Sequence, residues 1–349
     1  MNLLIDLYKV KELYSGLGQF SYNYAEEIMR KPRPDLNITY LVPRNFENRN
    51  KWNSIQVNLQ NRYFPIFNKS YDIWHSLQQF PSHFPGKKTK FILTIHDLNF
   101  LYEKDEMHKL LYLRRLQRNI DRADYITAIS DFTKNNIEDH LNLRGKKIRT
   151  IYNGISVDTH GPGLKPDYVD EKKFFFSIGI FNEKKNFHSL LPVMNYFKEY
   201  KLIIAGNTDT NYGRQIRKQI QDLNLTDRVI LPGKISDDEK HWLYKNCYAF
   251  LFPSLAEGFG MPVIEAMKFG KPVFLSNYTC LPEIGGNLAF YFDDFNKEHM
   301  SSFIENKMSY FNDNQLILQD QIKKHADRFS WQTCIEQYTS LYQEIMNTK

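Results

Sequence analysis

The residues of this chain best placed to do chemistry are two carboxylates, Glu257 and Glu265, with seven residues between them. They lie in the stretch Pro253-Ser254-Leu255-Ala256-Glu257-Gly258-Phe259-Gly260-Met261-Pro262-Val263-Ile264-Glu265-Ala266-Met267-Lys268-Phe269-Gly270-Lys271-Pro272. Carboxylates accept hydrogen bonds and repel anions, so they are partners for hydroxyl groups and poor ligands for phosphate. The segment around them supplies the opposite chemistry. The apolar run Ala249-Phe250-Leu251-Phe252 ahead of it predicts a buried parallel strand. Pro262 stands where a first helical residue belongs, and Gly270 where a helix stops. Strand, glycine-rich loop and short helix would aim free N–H groups and a positive helix end at one place, which favours an anion such as a diphosphate. Amides for a diphosphate, flanked by carboxylates for hydroxyls, describe a site for a sugar nucleotide. The bland alternative, in which Glu265 only favours the helix dipole, accounts for that residue but not for the whole run.

Other candidates follow predicted strands, where ligands bind in open α/β sheets. Lys184 and Lys185 lie in the loop Gly179 to Asn186 that follows the apolar run from Lys173. A lysine there would stabilise charge developing on a leaving diphosphate; solvated surface lysines are the alternative. His96 follows Phe91 to Ile95, and His75 ends Asp72-Ile73-Trp74-His75, although a lone histidine is more often structural. The segment Ser15-Gly16-Leu17-Gly18-Gln19-Phe20 follows a first strand, Asn2 to Leu7. Its Gly-x-Gly invites a dinucleotide reading, but Ser21 fills the third glycine position. A loop whose backbone approaches a ligand at Gly16 and Gly18 is preferred, with a simple tight turn as the alternative. No Asp-x-Asp occurs in the sequence, and Asp237 and Asp238 read as helix-start residues after Ser236, so no metal site is expected.

The ordered run from Pro253 to Val273 resembles the signature of the family 4 retaining glycosyltransferases of GT-B fold. Similar features recur at His96-Asp97, at Asn153, Gly154 and Asp158, at Gly233 to Ser236, from Ser276 to Gly286 and at Phe329-Ser330-Trp331. The likeness is strong from about Gly233 to Asp293 and patchy in the first half. It implies an α/β GT-B architecture, two Rossmann-like doubly wound domains facing a central cleft. It implies that Glu265 binds ribose hydroxyls and that Glu257 binds the donor sugar, with Phe259, Gly260 and Met261 offering backbone amides. Lys185, with Lys184 beside it, would neutralise the diphosphate. The loop containing Ile235 would border the base. Gly16 and Gly18 would lie beside the donor phosphates and sugar, and His96 would contact the sugar near the reacting carbon. His96, Glu257 and Lys185 form the implied catalytic set. Ile180 stands where many members carry Arg or Thr, so one contact is missing. The pattern looks most like bacterial mannosyltransferases of O-antigen and surface-polysaccharide assembly. That favours GDP-mannose, with a UDP-sugar or another hexosyl donor close behind, and a lipid-linked or lipopolysaccharide acceptor. No cofactor or metal is implied. A sugar-nucleotide epimerase of GT-B fold is the rival enzyme. A non-catalytic sugar-nucleotide sensor is opposed by the intact set of Glu257, Glu265, Lys185 and His96.

The elements that must position these residues are legible as alternating strands and helices. The expected division is a first domain over 1–160, a nucleotide-sugar domain over 161–328 and a terminal helix over 329–349 that crosses back. Gly161-Pro162-Gly163 with Lys165-Pro166 reads as the linker. Residues 44–70, rich in Asn and Arg, carry no clear pattern. Glu103 to Ala123 reads as a core-facing helix with a solvated basic side, or as a basic amphipathic surface for a membrane; the first is preferred. A chain of 349 residues suggests two cores. Three cysteines without metal-ligand spacing fit a reducing compartment. The start has no basic region followed by a long apolar stretch, so no signal peptide is expected. Residues 1–160 carry 24 basic and 17 acidic side chains, while the remainder is nearly balanced. That asymmetry allows an anionic inner-membrane surface or an acidic acceptor as partner of a cytoplasmic, peripheral protein, with a generic solvated surface as the alternative; no nucleic acid is expected.

Overall fold

Continuous apolar runs, rather than alternating ones, mark strands buried on both faces, and such strands assemble into parallel sheets. The computed structural model describes residues 1–12, 15–31, 33–47, 50, 52–57, 71–170 and 173–348. Two compact units emerge: 1–154 together with 329–349, and 155–328. Pro32, expected to help end the first helix, and all of 58–70 lie outside the described residues.

Unit 1 begins with β1 (Asn2–Asp6), α1 (Gly16–Arg30), β2 (Asn37–Val42), β3 (Ser54–Gln56), β4 (Ile73–Ser76) and β5 (Lys90–Ile95). A helical turn, Phe100–Glu103, leads to α2 (Glu106–Arg122), β6 (Tyr125–Ala128), α3 (Asp131–His140) and β7 (Ile148–Thr150). The seven strands are parallel, in the order β3-β2-β1-β4-β5-β6-β7. The order reverses between β1 and β4, which is the topological switch point of a doubly wound sheet.

Unit 2 repeats this design with β8 (Phe174–Ile178), β9 (Lys201–Ala205), α4 (Asn211–Asp222), β10 (Val229–Gly233), α5 (Asp237–Asn246), β11 (Ala249–Phe252), α6 (Met261–Lys268), β12 (Val273–Ser276), β13 (Phe290–Phe292), α7 (Lys297–Asp313) and α8 (Gln315–Asp327). Its six strands are also parallel, in the order β10-β9-β8-β11-β12-β13, with the switch between β8 and β11. Both units are therefore Rossmann-like. The chain then returns to unit 1 as α9 (Trp331–Asn347). Trp331, Ile335, Tyr338, Leu341, Tyr342 and Ile345 of α9 join one core cluster with Phe20, Tyr24 and Ile28 of α1 and Leu3 and Ile5 of β1. Gly154, the last residue of the first pass through unit 1, lies against α9. A Cβ there would come within 2.4 Å of the Trp331 Cα, so only glycine fits.

Three expectations need correction. Gly16 and Gly18 are not in a loop: they occupy the first turn of α1, capped by the Ser15 hydroxyl, which accepts from the Gly18 N–H at 3.0 Å. The cap lets the helix start at once, and neither glycine has a positive φ. Pro262 is the second helical residue, because Met261 already belongs to α6. The apolar residues near the start of α2 do not face a core: Met107, Leu110 and Leu111 are exposed, and the helix is buried at Leu116, Asn119 and Ile120 instead. Met29 of α1 is likewise exposed.

Candidate functional site

At the switch point of the second sheet, the loops after β8 and β11 are fastened to each other. The Leu255 N–H donates to the Lys184 carbonyl at 2.7 Å, and the Ser254 hydroxyl lies 3.2 Å from the same oxygen. Ser276, ending β12, donates to the Ser254 carbonyl. Lys185 closes a short 3-10 turn, Glu183–Lys185, and Asn186 follows in the left-handed region at φ 54°. That turn folds the Lys185 side chain inward. It is 8% exposed; its Nζ donates to Glu257 Oε1 at 2.5 Å and sits 4.7 Å from the centroid of the Phe252 ring.

Glu257 is held from several sides. The Ser254 hydroxyl lies 2.6 Å from Oε1, and the Glu257 N–H donates to Thr279 Oγ1 at 3.1 Å. Burial alone would raise this carboxyl. The charges of Lys185 and then Lys184, with hydrogen bonds from Lys185 and Ser254, outweigh burial and hold it below the usual carboxylate range. The result is a fixed anion paired with a fixed cation beyond the ends of two neighbouring strands.

Three residues on, Gly260 caps α6 at φ 91°, a conformation that a side chain would strain. The backbone therefore turns directly into the helix; Pro262 carries no N–H, and the Val263 N–H donates to the Gly260 carbonyl at 2.9 Å. Glu265 lies one turn further on and is half-buried. Its two oxygens have separate partners: Lys240 Nζ lies 3.3 Å from Oε1, and the Tyr244 hydroxyl donates to Oε2 at 2.8 Å. Both partners come from α5. Burial, and then the Glu265 charge, push the Tyr244 phenol well above its ordinary value. Burial opposes the charge of Lys240, but Glu265 and Asp237 outweigh it and raise its pKa. Ile235, in the loop ahead of α5, is half-buried; Ser236 next to it forms a capping box with Glu239. Among the described residues no cluster of His, Cys, Asp and Glu is arranged to hold a metal.

In unit 1, the sequence candidates separate. His96 follows β5 and is buried; its Nε2 donates to the Leu77 carbonyl at 2.9 Å, leaving Nδ1 of the neutral ring as an acceptor. The Phe20 ring packs against it at 5.0 Å. Burial lowers its pKa to about 4, against the hydrogen bond to Leu77. His75 is a core residue: Nδ1 meets the Tyr342 hydroxyl at 2.6 Å and Nε2 meets Thr94 Oγ1 at 2.7 Å. Gly16 and Gly18 start α1.

Lys184, Lys185 and Glu257 thus meet, and Phe259, Gly260, Met261 and Glu265 continue the same segment into α6. Sequence reasoning missed Lys240 and Tyr244, the holders of Glu265. It also missed Asp6, which ends β1 at the switch point of the first sheet. Asp6 is 1% exposed; the Tyr8 N–H donates to its Oδ1 at 2.9 Å, while its buried Oδ2 has no hydrogen-bond partner among the described residues. An acid closing the apolar run Leu3-Leu4-Ile5 was the available signal.

Two doubly wound sheets, the second carrying this charge pair and capped helix, define a GT-B protein. The family described as Glycosyl transferases group 1 matches residues 165–326, and Glycosyltransferase Family 4 matches 21–159. The chain belongs to these glycosyltransferases, a family of enzymes. It is similar to the O-antigen chain mannosyltransferase RfbU of Salmonella typhimurium, 30% identical over 61% of this chain and 60% of that protein. The matched stretch therefore spans less than two thirds of that relative. O-antigen chain mannosyltransferase B of Escherichia coli is 26% identical over 74% of this chain and 71% of its own. Among solved structures, sucrose-phosphate synthase from Thermosynechococcus elongatus superposes with a TM-score of 0.80 over 100% of both chains at 16% identity. Anabaena Alr3699/HepE in complex with UDP-glucose gives 0.73 over 99% of this chain and 100% of that one, also at 16% identity.

Proposed function

We propose that the protein is a retaining hexosyltransferase that moves mannose from GDP-mannose to a hydroxyl of a growing lipid-linked or lipopolysaccharide glycan. The observation that carries this reading is the Lys185–Glu257 pair beside the capped start of α6, with Glu265 held one turn on. A diphosphate would take the cation, with Phe259, Gly260 and Met261 offering backbone N–H groups ahead of Pro262 and Lys184 close by. The carboxylates would accept from hydroxyls, Glu257 from the donor sugar and Glu265 from the ribose. Ile235 would border the base. In unit 1, a neutral His96 with an acceptor nitrogen fits contact with a sugar hydroxyl.

In the step itself, the bond from the anomeric carbon to the diphosphate oxygen breaks, and its electron pair leaves with that oxygen. The acceptor oxygen attacks the same face, and its proton passes to the departing phosphate. Lys185 stabilises the charge that develops there. No cofactor or metal enters this scheme.

Mannose is favoured because relatives in Salmonella and Escherichia coli are named O-antigen mannosyltransferases. A UDP-sugar is the second reading, supported by the UDP-glucose complex of the Anabaena structure. A lipid-linked acceptor would make the protein cytoplasmic and peripheral on the inner membrane face. Among the described residues, no helix is long and apolar enough to cross a membrane. The test is nucleotide release from a panel of GDP- and UDP-sugars, with and without acceptor glycans. Glu265→Ala removes hydrogen bonds to a charged group, worth about 1.5–3 kcal/mol, so donor affinity should fall roughly 10- to 100-fold. Unchanged donor binding and turnover in that variant would sink the assignment.

A further inference from the structure

The side of α2 that faces away from the core has a composition that solvent alone does not explain. The helix is buried at Leu116, Asn119 and Ile120. Residues spaced three and four apart on the opposite side form one continuous stripe: Met107, Leu110, Leu111, Arg114, Arg118 and Arg122. Its first two turns are apolar and open to solvent, with Met107 67%, Leu110 53% and Leu111 55% exposed. Its remaining turns are basic and also exposed. The acids nearby are engaged. Asp105 accepts from the His108 N–H at 3.0 Å, Glu106 pairs with Lys109 at 2.7 Å, and Asp121 lies 3.5 Å from Arg144.

We infer that this face of α2 docks on an anionic lipid surface, with Met107, Leu110 and Leu111 entering the headgroup boundary and Arg114 and Arg118 meeting lipid phosphates. An apolar stripe flanked by arginines is the composition of helices that lie in a membrane interface. Arg122 stacks over the Phe84 ring at 4.4 Å and anchors the end of the stripe to unit 1. A second copy of the chain is a poorer occupant. Pairing two such faces would set arginine against arginine or bury arginines against leucines. The positive balance of residues 1–160 extends the same sign beyond the helix. The inference rests on the proposal of a membrane-borne acceptor and adds where the protein meets that membrane.

The full chain is tested by co-sedimentation with phosphatidylcholine vesicles, with and without phosphatidylglycerol. The wild type should bind only the anionic vesicles, and salt should weaken binding. Each basic residue near such a surface contributes roughly fivefold, so Arg114→Glu with Arg118→Glu should lose about 25-fold or more. Leu110→Ser with Leu111→Ser should also weaken binding while leaving the thermal midpoint unchanged, since both side chains are exposed. No binding by the wild type, equal binding to neutral vesicles, or wild-type binding by both variants overturns the inference. So does a serine variant that turns a dimer into a monomer, which would make the face a contact between copies. GDP and UDP binding measured on the same proteins separates the two readings. Nucleotide binding without vesicle binding removes the docking face alone, and vesicle binding without nucleotide binding removes the transfer reading alone.

Discussion

Asp6 and Glu257 are carboxylates sheltered beyond parallel strands, and their surroundings drive them in opposite directions. Lys185 and Ser254 keep Glu257 ionised. Asp6 has no paired cation among the described residues, and burial pushes it up to about 6 despite the hydrogen bond from Tyr8. The unfolded chain ionises this group near 3.8, so the folded state holds a proton that the unfolded state has lost between those values. Stability from this group therefore falls as pH rises from 4 to 6, by about 3 kcal/mol in order of magnitude. Asp6→Asn should raise the free energy of unfolding in urea by about 1–3 kcal/mol at pH 7.5 and by almost nothing at pH 4. A gain independent of pH would contradict this account. At the same scale, Glu257, Glu265 and Lys185 were legible because they stand in an ordered run with a chemical rationale. Lys240, Tyr244 and Asp6 were not. Lys240 and Tyr244 matter through Glu265, 25 and 21 positions away in the chain, and Asp6 through the burial that the folded sheet imposes; no local spacing records either.

The elements were legible where both faces are buried, and less so where only one is. Most of the described strands announce themselves as apolar runs; β3, inside the Asn- and Arg-rich stretch, and β7, with an exposed Arg149 at its centre, do not. For α2, periodicity indicated an amphipathic helix but could not say which stripe meets the sheet, and the basic side extends into exposed leucines. For α1, the Ser15 cap turned an expected loop into helix. Strand β4 carries an element-scale consequence. Its His75 joins Thr94 of β5 to Tyr342 of α9, Thr94 meets Thr127 of β6 at 2.7 Å, and Tyr342 meets Tyr24 of α1 at 2.5 Å. Burial, and then His96, lower His75 to about 3, while burial lowers His96 to about 4. Unfolded histidine protonates near 6.5, so stability from both is complete above that pH and is lost as pH falls toward 4 and 3. Asp6 acts in the opposite sense between 4 and 6, but one carboxyl cannot offset two imidazoles. The thermal midpoint should therefore drop steadily from pH 6.5 to 4.5. His75→Gln should start lower at pH 7 and fall less steeply; parallel slopes for the two proteins would exclude His75 as a source.

At the scale of the whole molecule, the chain completes unit 1 with its last helix. Helix α9 contributes Trp331, Ile335, Tyr338, Leu341, Tyr342 and Ile345 to that core. Burying each contributes about 1.5–3 kcal/mol, and the sum of about 9–18 kcal/mol is of the same size as the roughly 5–15 kcal/mol that holds a domain folded. Removing residues 329–349 should leave 1–154 open to limited proteolysis throughout while 155–328 stays protected. Equal protection of both stretches would refute this.

The same connectivity sets a timetable for folding. Unit 2 is one uninterrupted segment, 155–328, whereas unit 1 needs residues from both ends of the chain. At about 5–20 residues per second on the ribosome, α9 emerges roughly 10–35 s after Gly154. The first unit to be synthesised is thus the last to close. Its sheet waits with the surface meant for α9 uncovered, and in that interval a chaperone or an aggregating neighbour would find it.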